Sequence, residues 1–163
     1  MTECFFKVLR PGINTTYQDE GRFSLQHLGL PPSGCMDSQA FSLVNAIVGN
    51  KKNTGVIEFA YQGPLLQLIK GKTKFAISGN VNFKIIYKNR KTVEGDCYRS
   101  YNLNEGDQID ILITKKSAYG YLSVEGGFEL KSFCNSVSTL VNAQVGPNNG
   151  SKINLGDKII IHQ

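Results

Sequence analysis

The chain has little of what metal centres, disulfide scaffolds and membrane anchors are built from. Its 163 residues include two histidines, His27 and His162, and four widely spaced cysteines, Cys4, Cys35, Cys97 and Cys134, with no C-x-x-C pair. Those counts argue against a His-rich metal site and suggest neither a zinc centre nor a disulfide framework. The thiols are expected to be reduced and structural. No apolar run approaches the ~18–20 residues that a bilayer-crossing helix needs. The N-terminal MTECFFKVLRPG lacks the apolar stretch and cleavage site of a secretory leader, so a cytoplasmic protein without a membrane partner is expected. Charged residues make up 19% and hydrophobic ones 40%, the balance of a folded globular chain. The length suits one domain, residues 1–163, able to bury its own core.

Charge of one sign is scarce at both ends and concentrated in the middle. Residues 51–100 carry 10 basic and 3 acidic groups, against 3 and 4 before them and 5 and 6 after. A middle at +7 is a possible footprint for an anion or a nucleic acid. Its lysines, however, alternate with apolar residues, as in KTKFAI and NFKIIYK. That pattern describes the wet face of half-buried strands, where lysine also discourages edge pairing. The expectation is a solvated face and no nucleic-acid partner.

Period two dominates the rest. Strands are expected at 4–9, 55–60, 64–69, 73–78, 81–87, 97–103, 107–113, 118–124 and 157–161, short, rich in β-branched and aromatic residues, and punctuated by Gly, Asn and Asp. Such spacing predicts a barrel or sandwich. Glu94-Gly95-Asp96, Glu105-Gly106-Asp107 and Leu155-Gly156-Asp157 read as turn devices ahead of strands. One segment is helical: Ala40, Leu43, Val44, Ile47 and Val48 repeat at helical spacing, Asp37 suits the N-cap and Gly49 the left-handed stop. The predicted architecture is mainly β, a closed barrel with one amphipathic helix at about 37–49. Residues 142–152 read as a long surface loop.

The candidate chemistry lies in 17–37, YQDEGRFSLQHLGLPPSGCMD, where glycine and proline at 21, 29, 31, 32 and 34 are interleaved with polar side chains. Long ordered loops of this kind are commonly functional. Gln18, Asp19, Arg22, Gln26 and Ser33 suit a planar, hydrogen-bonding substrate, with Arg22 for a carboxylate or phosphate and the glutamines for amide-like groups. His27 is a proton carrier near neutral pH, and Asp37 stands where a cap and a ligand contact coincide. The conservative alternative is that Asp19 pairs with Arg22, His27 is a satisfied core histidine and Asp37 only caps. Glu58 and Glu125 are the strand carboxylates to watch. In strict alternation Glu58 shares a face with Val56 and Ala60, and a carboxylate in a barrel mouth would have a perturbed pKa. Ser33-Gly34 lacks G-x-S-x-G, so a serine triad is not expected. Gly126-Gly127-Phe128 offers backbone amides to an anion, but neither a P-loop nor G-x-G-x-x-G is present.

YQDEGR, QHLGLPPSG-x-MD, LVNAIVGN and IEFAYQGP, in this order and spacing, resemble the biotin-dependent carboxyltransferase subunit family. That family includes the C-type subunit of 5-oxoprolinase, allophanate hydrolase subunit 2 and the antagonist of a sporulation kinase inhibitor, and its module recurs in urea carboxylase. YLSVEGGF, NSVST and the closing LGD-x-I extend the likeness from Val8 to Ile161. The resemblance implies a cyclophilin-like β-barrel working beside a partner cyclophilin-like subunit, the B-type subunit of 5-oxoprolinase, and a third subunit. ATP is implied for the complex rather than for this chain alone, and no metal. It further implies a small amide substrate; on the residue chemistry given above, His27, Asp37 and Glu58 are the expected catalytic residues and Gln18, Asp19, Arg22, Gln26 and Ser33 the expected binding residues. A regulatory partner-binding subunit and a carboxyltransferase component of a urea carboxylase-like system are the alternatives.

Three departures stand out. Family members carry two related halves and this chain matches the first, as a half-length protein, a split gene product or a truncated chain would. Ser78-Gly79-Asn80-Val81 stands where TGAD is common, losing a carboxylate. Residues 135–139, NSVST, stand where GSRST is common, losing an arginine.

Overall fold

Alternation along the strands decides which side chains meet. The computed structural model describes residues 3–162. Its elements are β1 (Cys4–Arg10), β2 (Thr16–Gln18), α1 (Ser38–Val48), β3 (Val56–Ala60), β4 (Leu65–Lys70), β5 (Lys72–Ser78), β6 (Val81–Ile86), β7 (Thr92–Gly95), β8 (Ser100–Asn104), β9 (Gln108–Thr114), β10 (Tyr119–Val124) and β11 (Lys158–Ile161). They form two antiparallel sheets, ordered β11-β1-β4-β9-β6-β7 and β2-β3-β10-β5-β8. The mainly-β expectation with one α-helix is met. The expected closure is not shown: among the described residues no ladder joins the two sheets into one barrel, and β11, β7, β2 and β8 are the edges. Short strands with alternating burial do not themselves distinguish a closed sheet from two facing ones.

The core lies between the sheets. Phe6, Val8, Leu66, Phe83, Ile85 and Ile111 from one sheet meet Ile57, Phe59, Phe75, Ile77 and Leu122 from the other, all essentially inaccessible. Phe75, Phe83 and Tyr101 form an aromatic trio with centroids 5.7–6.1 Å apart, a spacing suited to edge and tilted contacts. Lys7, Lys72 and Asn102 point outward in the same strands, as the alternation required. No described helix is long and apolar enough to cross a membrane.

Helix α1 has the ends its sequence announces. Asp37 is extended and its carboxylate accepts from the Gln39 and Ala40 amides at 3.0 and 2.9 Å; Gly49 closes the helix at φ 82°. The buried stripe is Ala40, Phe41, Val44, Asn45 and Val48, while Leu43 is 43% exposed. The expected stripe was therefore rotated by about one position, because α1 packs on β5 and β10 through Ala76 and Tyr121. Asn45 is satisfied there, donating to the Thr54 carbonyl and accepting from Ser123.

Two further expectations shift. Glu94-Gly95 is not a turn: it ends β7, where a Cβ on Gly95 would collide with the Phe83 ring. The strand expected at 97–103 begins only at Ser100, because Tyr98 takes a left-handed φ of 62°. The other two devices are turns as expected. Gly106 and Gly156 have φ of 95° and 85°, and Asp107 and Asp157 accept the Asn104 and Asn154 amides. Val81, where the family pattern has a carboxylate, is in the core. The loop at 142–152 is tightened by two 3₁₀ turns, Val141–Ala143 and Asn148–Gly150.

Candidate functional site

The side of the five-stranded sheet that faces away from the core carries the polar groups. In β3, Ile57 and Phe59 enter the core while Val56 packs beneath α1, so Glu58 lies on the helix side. The same alternation sends Leu122 inward and Tyr121 outward in β10, and Tyr17 inward and Thr16 and Gln18 outward in β2. Glu58 therefore projects not into a barrel mouth but onto the outer face. A cleft of about 220 Å³ opens there, floored by Thr16, Gln18, Glu58 and Tyr119. Ser33, Gly34 and Met36 wall one side and residues 139–142 the other.

The Pro-Pro corner is nailed down by three consecutive amides. Cys35 N–H donates to the Asp19 carbonyl at 2.9 Å, Met36 N–H to Glu58 Oε2 at 2.8 Å, and Asp37 N–H to the Tyr121 hydroxyl at 2.7 Å. Ser33 adopts φ 51° and Gly34 φ 103° to make the bend. A Cβ on Gly34 would lie 2.8 Å from the Glu20 carbonyl oxygen, so this close approach requires glycine. Glu58 is only 5% exposed. Burial pushes its carboxyl above the usual 4.5, opposed by the Met36 amide and by a hydrogen bond from Tyr121. Burial, reinforced by the charge of Glu58, pushes the neighbouring Cys35 thiol up to about 11. It is a protonated thiol at neutral pH, not a nucleophile.

Behind the cleft, residues 18–22 and 136–139 are laced together by buried polar side chains. Asp19 accepts from Gly21 N–H, Ser136 Oγ and Val137 N–H at 2.8, 2.7 and 2.7 Å. Gln18 Nε2 donates to Thr16 Oγ1 and the Thr139 carbonyl, and its Oε1 accepts from Ser138. Arg22, 2% exposed, donates to Ser33 Oγ at 2.6 Å and to the Ser138 carbonyl at 2.5 Å. Its Nε and the Thr139 hydroxyl are buried without partners.

The structure thus brings together Gln18, Ser33 and Glu58 at the cleft, with Asp19 and Arg22 as its support. Asp19 and Arg22 serve different partners rather than each other. Gln26 and His27 lie on an exposed 3₁₀ turn, Gln26–Leu28, and neither lines the cleft. The alternative of a core histidine is overturned by that exposure. Asp37 caps α1 through its carboxylate and reaches the site through its amide. Sequence reading missed Thr16, Tyr119, Tyr121 and Thr139. For the three strand residues the signal is parity, Tyr119 and Tyr121 sharing a face, but only the pairing of Thr16 and Tyr121 opposite Glu58 reveals it; Thr139 lies outside the strands and no local pattern marks it.

The remaining candidates separate cleanly. Glu125 faces water and binds Lys74 at 2.7 Å. Gly126 and Gly127 amides are already used, by Asn50 Oδ1 and the Val124 carbonyl. A larger hollow of about 660 Å³, lined by Lys72, Lys74, Asn102, Asn104, Glu125 and His162, shares no residue with the cleft. It holds no buried ionisable group, so the smaller cleft is the better site. Among the described residues no set of three or more His, Cys, Asp or Glu is placed to hold a metal.

An antiparallel two-sheet domain with one helix and one buried cleft carboxylate is the class defined so far. Comparison with known proteins narrows it. The chain belongs to the carboxyltransferase domain family, subdomain A and B, whose model matches residues 28–163. It is 35% identical over 161 residues to urea amidolyase of Lachancea kluyveri, covering 98% of this chain and 8% of that protein. It is 32% identical over 144 residues to the C-type subunit of 5-oxoprolinase from Haemophilus influenzae, covering 88% of this chain and 45% of that one. The crystal structure of the Kluyveromyces lactis urea carboxylase superposes with a TM-score of 0.91 at 32% identity, over 100% of this chain and 14% of that chain. The chain therefore spans under half of that 5-oxoprolinase polypeptide and a small part of urea amidolyase.

Proposed function

We propose that the chain is a subunit of an ATP-dependent amidohydrolase of the 5-oxoprolinase type, opening 5-oxoproline to glutamate with partner subunits in the cytoplasm. One observation carries this reading: the cleft pairs a buried acceptor with a free donor. Arg22 donates to Ser33 Oγ, which leaves the serine's own proton to reach an acceptor in the cleft. Glu58 presents its remaining acceptor capacity beside it. A small amide matches both, its carbonyl on Ser33 and its N–H on Glu58. Hydrolysis breaks the amide C–N bond and adds water across it. Glu58, with its raised pKa, is the proton carrier we assign in place of the exposed His27.

ATP does not suit this cleft. Its 220 Å³ lies below the ~300–1,000 Å³ usual for drug-sized ligands, and no lysine or arginine lines it. We assign ATP to another subunit of the complex. The solvent-facing Phe23, Leu28 and Met36, 67%, 65% and 64% exposed on the loop that walls the cleft, form the surface we assign to the partner cyclophilin-like subunit. We read the two sheets as the two sides of the cyclophilin-like barrel that the family resemblance implies.

The second reading, a carboxyltransferase component of a urea carboxylase-like system, is favoured by the superposition on urea carboxylase. Urea offers the same carbonyl and N–H groups to Ser33 and Glu58. One reconstitution with neighbouring gene products separates the readings: 5-oxoproline-dependent ATP hydrolysis supports the first, and transfer of the carboxyl group from carboxybiotin to a urea nitrogen, leaving free biotin, supports the second. In the active assembly Glu58→Gln should lose roughly 10²–10⁴-fold in turnover, the usual worth of a positioned proton carrier, while His27→Ala retains activity. A fully active Glu58→Gln enzyme would sink the assignment.

A further inference from the structure

We propose that Tyr121 is the positioning residue for Glu58, its single hydroxyl proton turned onto the cleft carboxylate by the backbone of the 32–37 corner. Tyr121 and Glu58 are directly opposite each other in the β3–β10 ladder, where facing side chains are close enough to interact. The consecutive corner amides of Met36 and Asp37 donate to Glu58 Oε2 and to the Tyr121 oxygen, which brings the two side chains' oxygens to the same corner; against the burial that raises the Glu58 pKa, the Tyr121 hydroxyl acts to lower it. The Tyr121 ring is fully buried beneath α1 beside Ala76 and Val56, so it has no freedom to turn away.

The direction of that interaction follows from the donors. A phenol has one proton to give and can also accept. Asp37 N–H already donates to the Tyr121 oxygen at 2.7 Å. An amide cannot accept in return, so the hydroxyl proton is left for Glu58. Met36 N–H approaches Glu58 Oε2 at 2.8 Å. Two successive corner amides therefore hold the carboxylate, one directly and one through Tyr121. Both arrangements favour the ionised acid and oppose its burial. The corner thus orients the carboxylate and moderates its pKa without itself touching substrate.

The other ionisable groups near Glu58 are Cys35 and the helix-capping Asp37 in the corner, Tyr119 on β10 and Arg22 behind Ser33, with Asp19 and Glu20 beyond Cys35; β2 faces the cleft with Thr16 and Gln18, neither ionisable. Burial holds Cys35 protonated at neutral pH, so the thiol adds no charge beside Glu58. The inference gives the proposed role of Glu58 a structural cause and rests on that reading for its catalytic meaning.

The test is a carboxyl-carbon NMR titration of the full chain labelled at glutamate, with the Glu58 signal assigned by its loss in Glu58→Gln. Tyr121→Phe removes one oxygen and keeps the buried ring. The expected result is a Glu58 midpoint higher in Tyr121→Phe than in the wild type; an unchanged midpoint overturns the proposal. A second measurement needs no Tyr121 variant. The Asp37 amide nitrogen of the wild type should show an inflection at the Glu58 midpoint that disappears in Glu58→Gln. An Asp37 amide without that inflection equally overturns it. In the assembled enzyme, the acidic limb of the kcat/KM profile should move upward with the Tyr121→Phe midpoint. If Glu58→Gln proves fully active while the midpoint still moves, the positioning stands and the catalytic reading of Glu58 falls.

Discussion

Replacing Arg22 by alanine separates a residue that holds substrate from one that holds the site. The guanidinium is 2% exposed and makes two short bonds, to Ser33 Oγ and to the Ser138 carbonyl. Hydrogen bonds to charged groups are worth about 1.5–3 kcal/mol each, so their loss costs about 3–6 kcal/mol. Removing the unpartnered Nε–H returns about 1–3 kcal/mol, the usual penalty of an unsatisfied buried donor. A net destabilisation of about 0–5 kcal/mol follows, centred near ~2–3 kcal/mol, read as a lower urea midpoint with an unchanged m-value. Ser33 would also lose the donor that directs its proton into the cleft. Activity of the assembled complex should therefore fall together with stability. If Arg22→Ala kept the wild-type urea midpoint and raised only KM, the reading of Arg22 as a structural support would be refuted and a direct substrate contact restored.

Two other perturbations probe the corner and the cleft. Asp37→Ala removes the acceptor of two α1 amides and should cost ~1 kcal/mol, within the ~0.5–2 kcal/mol range of N-cap losses; an unchanged urea midpoint would contradict the cap. Glu58 gives a pH dependence of defined sign. Its folded pKa lies above the ordinary 4.5, so the folded state binds the proton more tightly than the unfolded chain. This group therefore makes the wild type less stable as pH rises from about 4.5 through the raised folded value. Urea unfolding of wild type and Glu58→Gln across that interval should show the wild type losing ground as pH rises, and parallel curves would remove the buried-carboxylate argument.

Much of this molecule could be read locally because local forces set it. Period two places Phe6, Ile57, Phe75 and Phe83 inward and the lysines outward. Asp37 and Gly49 mark the helix ends by their own backbone chemistry. β2, a strand of three residues, escaped notice because its identity comes from pairing with β3 and not from its own pattern. β7 escaped because Gly95 resembles a turn until the Phe83 ring beside it is known.

The candidate site shows the same division. The sequence by itself placed Gln18, Asp19, Arg22, Ser33 and Asp37 in one candidate stretch, because turn residues and polar side chains are dense there. It also set Glu58 apart as a carboxylate amid apolar neighbours. Only the tertiary structure decided which of these face the cleft. Strand register put Thr16, Glu58 and Tyr121 side by side, and residues 136–139 folded back to absorb Asp19 and Arg22. His27 was left on an exposed turn. The physical reason is that hydrogen-bond capacity is finite: a buried donor or acceptor spent on a distant segment is unavailable to substrate, and no local pattern records where that segment lies.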